Sequence, residues 1–232
     1  MILLDKLSCA MTEELGNRDI IYFIDTNNEC PLEINKKKLG NKRTNMLSSS
    51  INVMNFAKVS RKKWAPVDEN TPLSRIKQFH HWEYSNWSNK SKSPLTEMKK
   101  FGYESKITIN VPCAFNPNFY GSFFMLFEDE VVLPQDYLFK LEKRLIEFQH
   151  EVIFKQQNLL NPIMDYQIIS EPERKTIQLV ASGASRGDIA TECFLTNRGV
   201  DYRLAVIKKK LGVKTWSQMV FLAANLGLIQ SN

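Results

Sequence analysis

The last quarter of the chain, Ile169 to Ile229, is punctuated so densely by helix starts and stops that it admits one kind of fold. Ser170 can cap a first helix, with Glu173 reaching back to the exposed amides and Pro172 tolerated in the first turn. Gly183 suits a left-handed stop, and Ser185 with Asp188 starts a second helix. Thr196 caps a third helix that Gly212 ends. Thr215 with Gln218 starts a fourth, which Gly227 ends. Four short helices in about sixty residues form an all-α helix-turn-helix unit.

The third of these helices carries the chemistry. Val200, Leu204, Ile207 and Leu211 recur at helical spacing, so one stripe faces a small core. From Asn197 to Lys214 there are six basic residues (Arg198, Arg203, Lys208, Lys209, Lys210, Lys214) against one acid, Asp201. Clusters of this kind hold phosphates, while side chains near the helix N-terminus read base edges. The expected DNA-contacting set is Arg186, Thr196, Asn197, Arg198, Asp201, Arg203, Lys208, Lys209, Lys210 and Lys214. The net charge of +6 fits a nucleic-acid partner but does not locate it. Leu160 to Asn232 has nine basic and six acidic residues and the remainder twenty-two and nineteen, so clustering is the signal.

On these residues the segment resembles the DNA-binding domain of LuxR-type (GerE-type) bacterial transcription regulators. Glu173, Gly183, Ile189, Ala190, Val200, Ile207, Leu211 and Gly212 stand where that family's pattern wants them. Gly199, Asp201 and Arg203 depart from its usual Thr, Lys and His. The resemblance implies double-stranded operator DNA as partner, a homodimer spanning two half-sites, and RNA polymerase as a further partner at the promoter.

Upstream the order of elements is mixed. Asp19–Ile24 reads as a buried strand, Ile34 to Ser50 as an exposed Lys/Asn-rich connection, and Ile51–Ala57 as another strand. Met1 to about Leu15 reads as a helix, and so does Pro94 to Lys100, stopped by Gly102. Lys106–Val111 alternates as a half-buried strand, Asn116–Asn118 turns a hairpin, and Tyr120–Phe127 is a strand buried on both faces. In the long helix from Gln135 to Gln157, Leu138, Leu141, Leu145, Phe148 and Val152 form a seam to pack on the sheet or pair with a second chain. The expectation is an α/β sensor domain at 1–157, an antiparallel sheet between helices as an α-β-α sandwich. A linker at 158–167 and the helix-turn-helix domain at 168–232 follow.

Arg61 to Asn89 is polar and loop-like yet holds Trp64, Trp82 and Trp87 beside Phe79 and Tyr84. Such aromatics wall a pocket for a small, partly apolar ligand or form a lid over an ordinary core. The stretch from Leu95 through Phe127 resembles the autoinducer-binding domain of quorum-sensing LuxR-type receptors. That resemblance implies a small-molecule signal, an acyl-homoserine lactone or another compound, as the one bound ligand. It also implies Trp64, Asp68 and Trp82 as pocket residues, joined by Tyr84 and Trp87. Asp68 and Pro72 are separated where the family has an Asp-Pro pair, and Lys106 stands where it has Gly. A sensor without a ligand, serving dimerisation or a protein partner, is the alternative.

Cys9, Cys30, Cys113 and Cys193 are scattered as thiols of a reducing cytoplasm, and no apolar run approaches a membrane span. No nucleophile–base pair, phosphate loop or metal-ligand spacing points to an enzyme or a metal site.

Overall fold

The computed structural model describes residues 18–34, 43, 45–84, 93–150 and 160–229. Five antiparallel strands form one sheet: β1 (Arg18–Thr26), β2 (Leu47–Ser48), β3 (Phe79–His81), β4 (Ser105–Pro112) and β5 (Phe119–Phe127), in the order β2-β1-β5-β4-β3. The β4–β5 pair is the hairpin expected around Asn116–Asn118, with Ile109 opposite Phe123. Strand alternation then sorts the side chains by chemistry. Ile20, Tyr22, Ile24, Ile107, Ile109, Val111, Phe123, Met125 and Phe127 share one fully buried face. Phe23, Asp25, Lys106, Thr108, Asn110, Tyr120, Ser122 and Phe124 share the other.

Helices cover both faces. α1 (Ile51–Val59) runs into a π-helical turn (Ser60–Trp64), and α2 (Asn70–Ile76) and α3 (Pro94–Lys100) follow. Val53, Phe56 and Ala57 of α1 and Met98 of α3 pack with Tyr103, Ile21 and Leu126 over the mixed face. α4 (Gln135–Phe148) lays Leu138, Leu141, Leu145 and Phe148 onto the apolar face, so its described seam packs on the sheet. Gly121 on β5 allows Tyr22 and Gln149 to meet. A Cβ there would lie 2.8 Å from Gln149 Oε1, which accepts the Tyr22 hydroxyl at 2.9 Å.

Several expectations need correction. Ile51–Ala57 is helical: Ser50 caps it by accepting from the Val53 amide, and its buried positions recur at three and four. That three-dimensional packing outweighs the strand preference of its β-branched residues. In the stretch expected to be loop-like, the described residues up to Tyr84 include the π-helical turn, α2 and β3. Lys106–Val111 is buried on both faces, since Lys106 and Thr108 are as enclosed as Ile107. Arg43 and Ser48 are buried inside the stretch expected to be an exposed connection. The helix expected at Met1–Leu15 and the end of the long helix at 151–157 lie outside the described residues.

The C-terminal unit consists of α5 (Pro162–Asp165), α6 (Glu171–Ala181), α7 (Arg186–Glu192), α8 (Asn197–Leu211) and α9 (Trp216–Asn225). α5, in the stretch expected as a linker, is buried at Pro162, Ile163 and Asp165. The apolar core continues from Ile24 and Phe119 through Leu160 and Ile163 into Ile177, Val200, Leu226 and Leu228. Asn116 and Asn118 from the hairpin turn donate to the Asn225 carbonyl, and Asn161 donates to that of Leu226. Three amides thereby satisfy carbonyls at the α9 C-terminus that the helix itself leaves open.

Candidate functional site

The helix-turn-helix forms as its caps require. Ser170 with Glu173, Ser185 with Asp188 and Thr215 with Gln218 are reciprocal capping boxes, and Thr196 accepts the Gly199 amide. Gly212 closes α8 at φ +67, a conformation that costs other residues. Val200, Leu204, Ile207 and Leu211 are buried. With 100° per residue, the side of α8 opposite that stripe carries Arg198, Tyr202 and Lys209. All three are exposed, Tyr202 at 74%.

The remaining expected contacts divide by flank. On one side Arg186 of α7 pairs with Asp201 at 3.1 Å and lies over the Trp216 ring. The acid on this helix is therefore matched by a cation. On the other side Arg203 is half-buried, donating to Thr176 Oγ1 at 3.4 Å, and Lys210 binds Glu173 at 2.7 Å. Lys210 and Ser170 hold the Glu173 carboxyl below its usual range, against burial that raises it. Lys208 donates to the Lys214 carbonyl, while Asn197, Lys209 and Lys214 are exposed. The structure thus gathers Arg198, Lys209 and Asn197 at the surface and ties Arg203 and Lys210 to α6.

A second site lies under the mixed face of the sheet. A cleft of about 320 Å³, open on one side, is lined by Phe23 and Phe124 of the sheet, Trp82 after β3, Val67 and Asp68 before α2, and Thr71 in its first turn. That volume is at the lower end of small-molecule sites. Asp68 lines it, but its carboxylate is already engaged: the Asn70 amide and side chain donate to Oδ1, and the Tyr84 hydroxyl to Oδ2 at 3.3 Å. Trp82 lines it as a wall, with its indole N–H spent on Thr108 Oγ1 at 2.7 Å. Tyr84 supports Asp68 and does not line the cavity; burial and Asp68 push its phenol up. Trp64 is buried near Lys63 and Glu97 and also does not line it. Trp87 lies outside the described residues.

Beside the half-buried Arg75, three more cations complete the wall. Arg43 is buried between Asp25 (3.4 Å) and Asp165 (2.6 Å), and also donates to the Ile24 carbonyl. Burial opposes its charge, but Asp25, Tyr166 and Asp165 more than offset this, so its pKa lies above the ordinary value. Asp25 accepts the Tyr166 hydroxyl at 3.1 Å, which joins β1 to the segment before α6. Arg61 donates to the Arg43 carbonyl at 3.2 Å, and burial followed by the Arg43 charge lowers its pKa to about 10. Lys106 sits 3.1 Å from the centre of the Trp82 ring. Burial lowers its pKa to about 7, against the pull of Asp68. Sequence reasoning missed all three as site residues. The parity of Lys106, Thr108 and Asn110 on one strand face was the available signal for Lys106; Arg43 and Arg61 sit in Lys/Arg-rich stretches that do not distinguish them.

Residues 167–223 match the family described as bacterial regulatory proteins, luxR family, so this segment is a LuxR-type helix-turn-helix domain. Among solved structures, Escherichia coli SdiA is similar at 13% identity and a TM-score of 0.49, over 99% of this chain and 91% of that one. SdiA in complex with octanoyl-rac-glycerol is similar at 11% identity and a TM-score of 0.47, over 100% and 90%. No curated protein matches the sequence. No helix among the described residues is long and apolar enough to cross a membrane.

Proposed function

We propose that this protein is a transcription regulator acting on operator DNA in the cytoplasm, controlled by a small molecule held in the cavity under the sheet. The observation that carries the DNA half is the exposed Arg198–Tyr202–Lys209 ridge of α8, within the segment that matches the luxR family. In this reading Arg198 and Asn197, near the helix N-terminus, would meet base edges, and Lys209, Lys214 and Arg186 would meet phosphates. Two copies reading two half-sites about one helical turn apart would gain both affinity and specificity, and RNA polymerase would be met at the promoter.

The cavity supports the sensing half because its wall is mechanically joined to the DNA-binding segment. Arg43 touches both the cavity and Asp165, five residues before the Ser170 cap of α6. A ligand that orders Arg43 and Arg61 differentially stabilises one placement of that segment.

The test is selection of duplexes from a random pool, followed by titration of the selected site against unrelated DNA at several salt concentrations. Arg198→Ala should lose about 1–3 kcal/mol of discrimination at one base position. Lys209→Ala should weaken all sequences alike and reduce the salt slope by about 1. Equal, sequence-independent losses in both variants would remove the base-contact role of Arg198.

A further inference from the structure

The cavity wall carries three carboxylates, Asp25, Asp68 and the exposed Glu69, yet among the described residues two of its buried cations are paired with none of them. Among the described residues Lys106 makes no ion pair; its ammonium lies over Trp82, and Phe124 is 5.3 Å away. Among the described residues no carboxylate is within ion-pair distance of Arg61, which donates to the Arg43 carbonyl and stacks 5.2 Å over Phe23. Thr71 Oγ1 is buried with no hydrogen-bond partner, on a side chain that lines the cavity. Of the wall's carboxylates, Asp25 is spent on Arg43 and Tyr166 and Asp68 on Asn70 and Tyr84, while Glu69 is exposed to solvent. Phe23 and Phe124 lie 5.1 Å apart on neighbouring strands, so the two unmatched cations share one aromatic platform.

A buried donor without an acceptor, and a buried cation without a counter-ion, are both costly. A neutral ester or amide would meet the donors and leave the charges unmatched. We propose that the cavity takes a small organic carboxylate with an aromatic or short aliphatic body, its carboxylate held by Lys106 and Arg61 and approached by the Thr71 hydroxyl. The body lies against Trp82, Phe23, Phe124 and Val67. This rests on reading the cavity as the signal site.

The charged groups around Lys106 are Asp68 before α2, His80 on β3 and Arg61 across the cavity. Burial, Lys77 and Lys106 keep His80 low, so Lys106 is the group that changes charge near neutrality. Holding a carboxylate requires the protonated amine. Affinity for the acid therefore falls as pH rises through about 7, while affinity for an uncharged analogue does not.

The experiment titrates the full chain with phenylacetate and octanoate, each against its methyl ester, following melting temperature and tryptophan fluorescence at about pH 6 and about pH 8.5. The acids should bind roughly tenfold or more tighter than their esters at the lower pH, as one charge-assisted hydrogen bond provides. That ratio should collapse in Lys106→Met and shrink in Arg61→Met. Esters that bind as well as the acids, or a ratio unmoved by Lys106→Met, overturn the carboxylate inference and leave the cavity as a sensor. Failure of every acid and every ester to shift either readout overturns both.

Discussion

On β4, Ile107, Ile109 and Val111 meet α4 across an apolar interface, whereas Lys106, Thr108 and Asn110 turn to the cavity side. Ile107 and Thr108 are equally inaccessible, so burial does not distinguish the faces; chemistry does. The apolar face gains from every carbon it removes from water. The cavity face holds Arg43, Arg61 and Lys106, each of which loses hydration on folding. Arg43 is matched by two carboxylates, while Arg61 and Lys106 face a cavity. Charged groups buried at a cost to stability depart from what packing alone would choose, and this is what supports the proposed role of the cavity face.

The largest test of that contrast is Arg43→Met. It would take from the buried Asp25 and Asp165 the guanidinium that pairs with both, and should cost about 3–5 kcal/mol in a urea melt. On the opposite face Leu145→Ala opens a void against the sheet and should cost about 2–5 kcal/mol. A small loss for Arg43→Met would mean that the triad is not the clamp described, and that the cavity is not joined to Asp165 through it.

Lys106→Met should move the other way. The Lys106 amine ionises near 7 in the folded chain against an ordinary 10.5, so between those values the unfolded chain holds the extra proton. The sign follows: wild-type stability rises with pH across that window, and below it the buried charge is carried at full cost. The variant should be more stable than wild type at about pH 7, by on the order of 1 kcal/mol or more, and should lack the slope. A variant less stable at neutral pH would show that the cation–π contact with Trp82 outweighs the burial.

The two halves of the molecule also differ in how far they could be read beforehand. The helix-turn-helix was legible because its signals are local: each cap, stop and buried stripe of α6 to α9 lies within a few residues. The cavity depends on strands far apart in the chain. Arg43 finds Asp165 across 122 residues and Asp25 finds Tyr166 across 141, and neither pairing leaves a periodic trace. Ile51–Ala57 was misread for a related reason, because its β-branched residues favour a strand until the Ser50 cap and the packing of Phe56 are known. Aromatic density and the family resemblance both group Trp64 with Trp82, yet of the two only Trp82 lines the cavity.

The same lesson recurs within one helix, where Lys209 and Lys210 are adjacent and indistinguishable by composition. The 100° turn between them puts Lys209 on the exposed ridge and Lys210 against α6, where it meets both Glu173 oxygens at 2.7 and 2.8 Å. Glu173 in turn accepts the Ser170 amide, so Lys210 secures the entry of the first helix of the domain. The Lys210 side chain is 36% accessible, so screening limits the pair to a few tenths up to about 1 kcal/mol. Lys210→Ala should lower domain stability by that amount with the salt slope of DNA binding intact, whereas Lys209→Ala should leave the melt unchanged and flatten the slope. A reduced salt slope in Lys210→Ala would mean that this lysine leaves Glu173 for a phosphate when DNA binds, and the capping contact would then be a feature of the unbound domain alone.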